Sequence, residues 1–138
     1  MINSKDYDFS FSGLKTSVLY KLRDLKEKKV KLTASLINQI CHEAQRAIID
    51  VLVKKTILAA KEYKVKSIML SGGVSANKAL RTTLEKTAED VGIKYFQPLF
   101  EYTTDNAAMI ALAGYFSALD GNKKTDLKSV SVNANLTL

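Results

Sequence analysis

The segment Ser71-Gly-Gly-Val-Ser-Ala-Asn77 combines residue types that bind a phosphate or a sugar partly through the backbone. It follows the short apolar run Ser67-Ile-Met-Leu70, which is typical of a strand, and it precedes a helical pattern. Paired glycines let the backbone approach a ligand closely and adopt positive φ, and the amide of Asn77 both donates and accepts hydrogen bonds. The alternative is an ordinary strand-to-helix turn with Ser75 as the helix cap, which spacing alone favours.

The four residues Thr103-Thr-Asp-Asn106 stand at the start of another helical pattern. Thr104 or Asp105 is suited to capping this helix, because its side-chain oxygen would meet free backbone amides. The functional alternative is that Asp105 binds a cation or a ligand hydroxyl. Helices that follow neighbouring parallel strands start at the same edge of a sheet, so we expect one cleft there. The residues expected to face it are Gly72, Gly73, Asn77 and Asp105.

Several other chemistries are excluded by residue type or spacing. The glycine segment matches neither the G-x-x-x-x-G-K-[ST] phosphate loop nor the G-x-G-x-x-G dinucleotide loop. Cys41 and His42 are adjacent on a helical pattern and point about 100° apart, so they do not form a nucleophile–base pair. Gln45 and Arg46 follow His42 at i+3 and i+4, which gives no helix-borne metal site. Cys41 and His42 are expected to be partly buried. A metalloprotease is also excluded, because nothing in this chain would supply a metal-bound water and its general base.

The elements that must position these residues begin with a helical half. Residues 7–13 alternate aromatic and polar side chains, which predicts a short strand or extended entry, and Ser12 is suited to cap a helix over Leu14–Leu25. Apolar residues then recur at helical spacing from Thr33, the expected cap, to Tyr63. A helix of about 30 residues is about 45 Å long, more than the diameter of a domain of this size. We therefore expect it to kink or to pack against further protein.

The second half predicts a strand–helix–strand unit and hence an α/β fold. Strands over Ser67–Leu70 and Ile93–Phe96 flank a helix from Ser75 to Ala88, so the strands should be parallel with a right-handed crossover. The helix Asn106–Leu119 is apolar nearly all round and is predicted to be buried. Two strands do not cover that much apolar helix, and sheets usually have about five or six strands. The sheet therefore looks truncated.

Composition and charge fit one globular domain over residues 1–138. No apolar run approaches the ~20 residues of a membrane span, no export signal begins the chain and the single cysteine suits a reducing compartment, so a cytoplasmic protein is expected. The net charge of +7 comes from residues 1–66, which hold 14 Lys and Arg against 7 Asp and Glu. The densest stretch, Lys21–Lys31, is either a surface for a phosphate backbone or a solvated helix face.

Three segments, in this order and at this spacing, resemble the TsaD family. They are Asp8-Phe-Ser-Phe-Ser-Gly-Leu-Lys-Thr16, Ser71-Gly-Gly-Val-Ser-Ala-Asn77 and Thr104-Asp-Asn-Ala-Ala-Met-Ile110, and the ending Asn133–Leu138 is also similar. The resemblance covers essentially the whole chain and implies an actin-like ATPase (ribonuclease H-like) fold, of which this chain is a partial, helix-rich second lobe. The implied parts are a helical region over 14–64, a nucleotide-side βαβα region over 67–121 and a C-terminal tail over 122–138.

The resemblance also implies an activity and its ligands. Enzymes of this family transfer a threonylcarbamoyl group from threonylcarbamoyl-adenylate to N6 of adenosine 37 in tRNAs that read ANN codons, which is an acyltransferase reaction. By likeness, the Gly72-Gly73 turn borders the bound nucleotide and Asn77 contacts the adenylate. Asp105 matches an aspartate that ligates the active-site metal, iron or zinc. The implied partners are tRNA and TsaB- and TsaE-like proteins.

The sequence departs from the family pattern in ways that limit this expectation. Its one histidine, His42, leaves no room for the His-x-x-x-His metal motif, and the Ser-Gly-Gly-His phosphate turn is also missing. We therefore expect the C-terminal portion of a TsaD-like protein, inactive as a transferase by itself and self-associating through uncovered apolar faces. The alternative function is a nucleic-acid or partner-binding module without chemistry. The historical alternative label is metallo-glycoprotease.

Overall fold

The computed structural model describes residues 2–4 and 6–121. The chain divides into two compact units, one up to Thr103 and one from Thr104. The elements of the first unit are α1 (Ser12–Glu27), α2 (Ala34–Glu62), β1 (Ser67–Met69), α3 (Lys78–Asp90) and β2 (Lys94–Phe96), with 3-10 turns at Gly73–Ala76 and Phe100–Tyr102. The second unit contains α4 (Ala107–Leu119). The tail predicted over 122–138 lies outside the described residues.

Helix α2 is the long helix that the apolar periodicity predicted. It spans 29 residues without interruption, and Thr33 caps it by accepting a hydrogen bond on Oγ1 from the Leu36 amide at 3.2 Å. Tyr63 is the C-cap residue, and Lys64 then adopts a positive φ of 51°. At about 1.5 Å per residue the helix is about 44 Å long. The predicted cap and the predicted end of the helix are both confirmed.

The strand–helix–strand unit is also confirmed. Strands β1 and β2 are parallel, with Ile68 opposite Tyr95 in the register, and the Leu70 amide donates to the Phe96 carbonyl at 2.9 Å. Each strand is only three residues long, and among the described residues they form a two-stranded sheet. The described chain is therefore helix-rich with a small parallel sheet, which agrees with the α/β prediction in outline.

The core of the first unit lies between α2 and α3. Leu80, Leu84 and Ala88 recur at i, i+4 and i+8 on α3 and are almost fully buried. The residues that meet them are Ile49, Val53, Ile57 and Ala60 from α2 and Ile68 from β1. Burying one such aliphatic side chain contributes roughly 1.5–3 kcal/mol. This cluster therefore fixes the start of α3, and with it the glycine turn, against α2.

The entry into α1 differs from the prediction. Residues 7–11 form no regular secondary structure, and α1 starts at Ser12 with Phe11 in the cap position and no side-chain cap. The prediction of Ser12 as a cap is wrong because Ser12 is already in the first turn, where its carbonyl accepts from the Thr16 hydroxyl at 3.1 Å. The helix thus begins two residues earlier than its apolar stripe suggested.

Helix α4 lies where the apolar pattern placed a helix, but it is not buried. Its side chains are exposed, Ile110 to 72% and Leu119 to 64%. The helix is the regular element of the described part of the second unit, so among the described residues of that unit there is no second helix or strand on which its apolar side chains could be buried. The predicted position is confirmed and the predicted burial is wrong.

Candidate functional site

The glycine turn leaves β1 and enters α3 through a 3-10 turn. Gly72 has φ +83° and ψ 172°, a backbone region that is essentially restricted to glycine. The 3-10 turn is closed by hydrogen bonds from the Ser75 amide to the Gly72 carbonyl at 2.9 Å and from the Asn77 amide to the Val74 carbonyl at 3.0 Å. The positive φ expected for this turn is confirmed at Gly72, which is the position where the fold itself needs a glycine.

Gly73 has no such internal reason to be a glycine. Its φ is not positive, and a Cβ built on it would meet no atom within 4 Å. The same open space surrounds a Cβ at Gly72. A methyl group at residue 73 would therefore fit the described fold without strain or collision. The surface above the turn is open to a molecule that comes close to the backbone.

Asn77, rather than Ser75, caps α3. The Asn77 side-chain oxygen accepts from the Leu80 amide at 3.0 Å, and its side-chain nitrogen donates to Gln45 Oε1 of α2 at 2.9 Å. The prediction of Ser75 as a cap is wrong because the 3-10 turn intervenes and moves the start of α3 to Lys78. Asn77 has the extended backbone that a cap residue needs, with φ −69° and ψ 112°.

Ser75 is fully buried, and its hydroxyl has no hydrogen-bond partner among the described residues. Its carbonyl is paired, because Arg81 Nε donates to it. Arg81 also donates from Nη2 to the Pro98 carbonyl at 3.0 Å, so one guanidinium ties the glycine turn to the segment after β2. Sequence reasoning missed Arg81, although a single Arg four residues after the polar cap residue Asn77 of an amphipathic helix was a usable signal.

A small cavity lies between α2 and the first half of α3, with a volume of about 180 Å³. Its lining residues are His42, Gln45, Arg46, Ile49 and Asp50 from α2 and Ala79 and Thr83 from α3. Because Gln45 also bonds Asn77, the cavity adjoins the end of the glycine turn. The polar residues at 42, 45, 46 and 50 recur at helical spacing, and this signal could have found the site.

Cys41 and His42 are both exposed, so their predicted partial burial is wrong. They lie in the first third of α2, before the buried stripe of this helix, which starts at Ile49. His42 lines the cavity described above, whereas Cys41 does not. The adjacency of these two residues supplies no nucleophile–base pair.

Asp105 lies at the start of the second unit and does not cap α4. Asn106 is the cap: its side-chain oxygen accepts from the Met109 amide at 2.9 Å, and its nitrogen donates to the Thr104 carbonyl at 2.9 Å. The capping predicted for Thr104 or Asp105 is wrong because Asn106 is the extended residue directly before the helix, with φ −149° and ψ 147°. The exposed Asp105 carboxylate is thus not used by the helix.

The described residues do not by themselves provide a metal site. Within residues 2–4 and 6–121 there is no group of three or more His, Cys, Asp or Glu side chains placed to hold an ion. Metal sites of the iron or zinc type need several such ligands, so the Asp105 carboxylate is one ligand at most. The expectation that Asp105 shares a cleft with Gly72, Gly73 and Asn77 stays a prediction.

A buried lysine of α2 holds the segment that precedes α1. Lys55 is only 2% exposed, and its ammonium donates to Ser4 Oγ at 2.9 Å, Asp6 Oδ1 at 2.8 Å and the Asp8 carbonyl at 2.6 Å. A charge removed from water needs such compensation. The hydrogen bond from Lys55 holds the pKa of Asp6 below its ordinary value of 3.8. The contact therefore places the beginning of the Asp8–Thr16 segment against α2.

A second contact holds the same segment at the end of α2. The Tyr7 hydroxyl donates to the Glu62 carboxylate, and the Tyr7 ring lies 6.0 Å from the Tyr63 ring. The hydrogen bond to Glu62 raises the pKa of Tyr7 to about 12. The segment before α1 is thus attached to α2 at two points along the helix.

The basic stretch on and after α1 is not uniform in its pairing. Lys28 pairs with Asp24 at 2.8 Å, and this hydrogen bond lowers the pKa of Asp24. Lys26 and Lys29 have no carboxylate within ion-pair distance in the part of the chain that the structure describes. These two cations line a groove with Leu22 and other apolar side chains. They are two of the positive charges of this surface that no ion pair among the described residues uses.

Comparisons with known proteins agree with the segments quoted above. The family model for TsaD, described as tRNA N6-adenosine threonylcarbamoyltransferase, matches residues 1–112. The chain is similar to a protein of that name from Porphyromonas gingivalis, with 46% identity over 84% of the chain and 34% of the relative. A Thermosipho melanesiensis relative of that name is 44% identical over 99% of the chain and 39% of the relative, and one from Francisella tularensis is 43% identical over 100% of the chain and 40% of the relative.

By sequence, the chain is therefore a member of a family of tRNA-modifying transferases, and the outline of its fold is consistent with that family. Specifically, it belongs to the TsaD family, whose members have an actin-like, ribonuclease H-like fold. It spans between about a third and two-fifths of the length of these curated relatives. No helix among the described residues is both long and apolar enough to cross a membrane.

Proposed function

We propose that this chain forms the nucleotide side of a tRNA N6-adenosine threonylcarbamoyltransferase, as part of the second lobe of the actin-like fold. In this proposal the Gly72-Gly73 turn lies against the adenylate and Asn77 contacts it. The observation that carries the proposal is the glycine at residue 73, which neither its φ nor its surroundings require. A glycine that the fold does not need, beside an amide on a strand-to-helix turn, supports close approach of a ligand to the backbone.

The cavity between α2 and α3 supports the same placement. At about 180 Å³ it is smaller than the roughly 300 Å³ at which pockets for whole small molecules begin. It is therefore suited to one part of a nucleotide, with the rest of the ligand lying over the open glycine turn. Donors from Gln45 and Arg46 line it, and Asn77 stands at its edge through the bond to Gln45.

The proposed reaction is acyl transfer. The N6 amine of adenosine 37 attacks the carbamoyl carbon of threonylcarbamoyl-adenylate, the bond from that carbon to the phosphate oxygen breaks, AMP leaves and the amine loses a proton. The residues of this chain act on the leaving group, because the turn and Asn77 hold the adenosine part in place. Holding the leaving group fixes the reacting carbon relative to the tRNA.

We propose Asp105 as one ligand of a divalent metal, iron or zinc, in the complete enzyme. The described residues do not fit a complete site, since no second and third ligand stands with it among them. The chain also has a single histidine, so it holds no His-x-x-x-His motif. We therefore propose that this chain by itself has no transferase activity.

The proposed partners are tRNA and TsaB- and TsaE-like proteins, in the cytoplasm. Lys26 and Lys29 are two candidate phosphate contacts, because they line one groove and carry no carboxylate partner among the described residues. Self-association of the chain alone is supported by exposed apolar side chains such as Ile110 and Leu112. The second candidate function, a binding module without chemistry, is favoured if tRNA binds and nucleotide does not.

The test is calorimetric titration of AMP and ATP into this chain and its Asn77→Ala variant. Wild-type binding with a loss of at least tenfold in Asn77→Ala is the expected result. Asn77 also caps α3, and losing a cap costs about 1 kcal/mol, so an Asn77→Ser variant that keeps a capping oxygen serves as the control for folding. Equal AMP affinity in wild type and Asn77→Ala would contradict the proposed role of Asn77.

A further inference from the structure

We infer that Gln45 is a positioning residue that fixes the side-chain amide of Asn77, so that the pair presents N–H donors to a bound nucleoside. Gln45 lies on α2 and Asn77 lies 32 residues later at the start of α3. The inference rests on the proposed function, in which Asn77 contacts the nucleotide. To that proposed function it adds Gln45, a residue of a different helix, and the direction of the hydrogen bonds that the site offers to a ligand.

The orientation of the two amides follows from one fixed backbone donor. The Leu80 amide must donate, so the atom of Asn77 that faces it, at 3.0 Å, is the oxygen. The Asn77 nitrogen then faces Gln45 at 2.9 Å, and the Gln45 atom that meets it must be the accepting oxygen. Reversing either amide would set donor against donor. The chain from Leu80 through Asn77 to Gln45 is therefore ordered in one direction.

This order leaves side-chain hydrogens unused on both amides, while each amide oxygen already accepts one hydrogen bond. The Asn77 nitrogen has a second hydrogen, and no acceptor for the Gln45 nitrogen is found among the described residues. Gln45 lines the cavity of about 180 Å³, so these hydrogens adjoin the space where part of a nucleotide is proposed to lie. The matching ligand atoms are acceptors, such as ring nitrogens or ribose oxygens. Without Gln45 the Asn77 amide keeps its contact to Leu80 but loses the contact that fixes its nitrogen.

The experiment compares three variants of this chain and uses adenosine as the probe, because adenosine carries no phosphate charge. Gln45→Met removes the contact. Gln45→Glu keeps an oxygen that accepts from Asn77, and Gln39→Met makes the same change at an exposed residue of the same helix that lines a different groove. The first readout, in the free protein, is the NMR signal pair of the Asn77 side-chain amide. It is expected to shift in Gln45→Met and to stay in place in Gln39→Met.

The second readout is adenosine affinity. Gln45→Met is expected to weaken it about three- to tenfold, the size of one lost hydrogen bond. Gln45→Glu is expected to keep most of the adenosine affinity, because its carboxylate oxygen still accepts from Asn77. It should lose only the contribution of a direct hydrogen bond from the Gln45 nitrogen to the ligand. Gln39→Met should bind adenosine with wild-type affinity. An unshifted Asn77 amide signal in Gln45→Met overturns the inference. So does wild-type adenosine affinity in Gln45→Met when Asn77→Ala has lost it.

The two failures are distinguishable. If Asn77→Ala binds adenosine as wild type does, or if wild type itself does not bind, the proposed nucleotide role fails in this chain. The Asn77 amide signals still decide whether Gln45 holds Asn77, since they are measured without ligand.

Discussion

The Lys55 ammonium in the C-terminal half of α2 lies 2.8 Å from the carboxylate of Asp6, which is 49 residues earlier in the chain. The lysine is 2% exposed and the aspartate 54%, so a buried cation meets a carboxylate at the surface. Ser4 Oγ and the Asp8 carbonyl complete the shell of the ammonium. This contact joins the start of the chain to the helix that also carries Gln45.

We predict that removing the carboxylate destabilises the protein more than removing the lysine. Asp6→Ala leaves the Lys55 cation buried without its counter-charge, whereas Lys55→Met fills the space and leaves acceptors that water can reach. The midpoint of urea unfolding should therefore fall further in Asp6→Ala than in Lys55→Met. The double variant should lose less than the two single losses combined. Equal, additive losses would contradict this account of the pair.

The same pair predicts a dependence of stability on acid pH. The pKa of Asp6 is lowered in the folded protein by the hydrogen bond from Lys55, so its contribution is complete above the ordinary value of 3.8. It is lost as pH falls from 3.8 through the lowered folded-state pKa. Urea unfolding at a series of pH values should show a smaller acid loss in Asp6→Asn than in wild type. Identical acid profiles for the two proteins would show that Asp6 is not the group responsible.

Ser75→Ala is predicted to leave stability unchanged or to raise it by up to about 1 kcal/mol. The hydroxyl of Ser75 is buried without a partner among the described residues, and an unsatisfied buried polar group is costly. Alanine keeps the Cβ and removes only the oxygen. Thermal unfolding of Ser75→Ala, with the exposed Ser17→Ala as the control, measures the difference. A loss above about 1 kcal/mol would mean that the hydroxyl is satisfied, for instance by water.

We predict that tRNA affinity depends on which two lysines are changed to glutamate, and not only on the change in net charge. The double variant Lys26→Glu/Lys29→Glu should weaken tRNA binding strongly. It should also make the dependence of log affinity on log salt concentration shallower by about two, one for each lost phosphate contact. The matched control is Lys86→Glu/Lys94→Glu, which changes net charge equally on exposed positions outside residues 1–66. Filter binding at several salt concentrations compares the two. An equal loss of tRNA affinity in the two double variants would show that only the net charge matters, which would contradict the prediction.

Much of the fold could be predicted from the sequence where the signal was local and periodic. Thr33 before a long apolar stripe predicted the start of α2, and the change to short apolar runs predicted β1 and β2 with parallel pairing. Caps were harder, because several suitable side chains compete within three residues. Asn77 caps α3 in place of Ser75, and Asn106 caps α4 in place of Thr104 or Asp105. In both cases the cap is the residue with extended backbone directly before the helix.

The contacts of the candidate site were not predictable in the same way. The bond from Asn77 to Gln45 and the pair of Lys55 with Asp6 join residues 32 and 49 positions apart, and no local pattern specifies such partners. The exposure of α4 was also missed, because an apolar pattern states what a helix would bury and not whether a partner is present. Gly73 was named as a candidate from its residue type. The geometry shows that neither a positive φ nor a close neighbour requires a glycine there, and its role in a site stays a prediction.

The most direct test of the central claim is AMP titration into Gly73→Ala. The fold has room for this methyl group and no positive φ at that residue, so the variant should unfold at the wild-type temperature within a few degrees. Gly114→Ala, also in open space, is the matched control and should bind AMP as wild type does. The account predicts that Gly73→Ala folds normally and loses AMP affinity by tenfold or more, because the methyl group occupies the space of the ligand. A normally folded Gly73→Ala that binds AMP with wild-type affinity would contradict it.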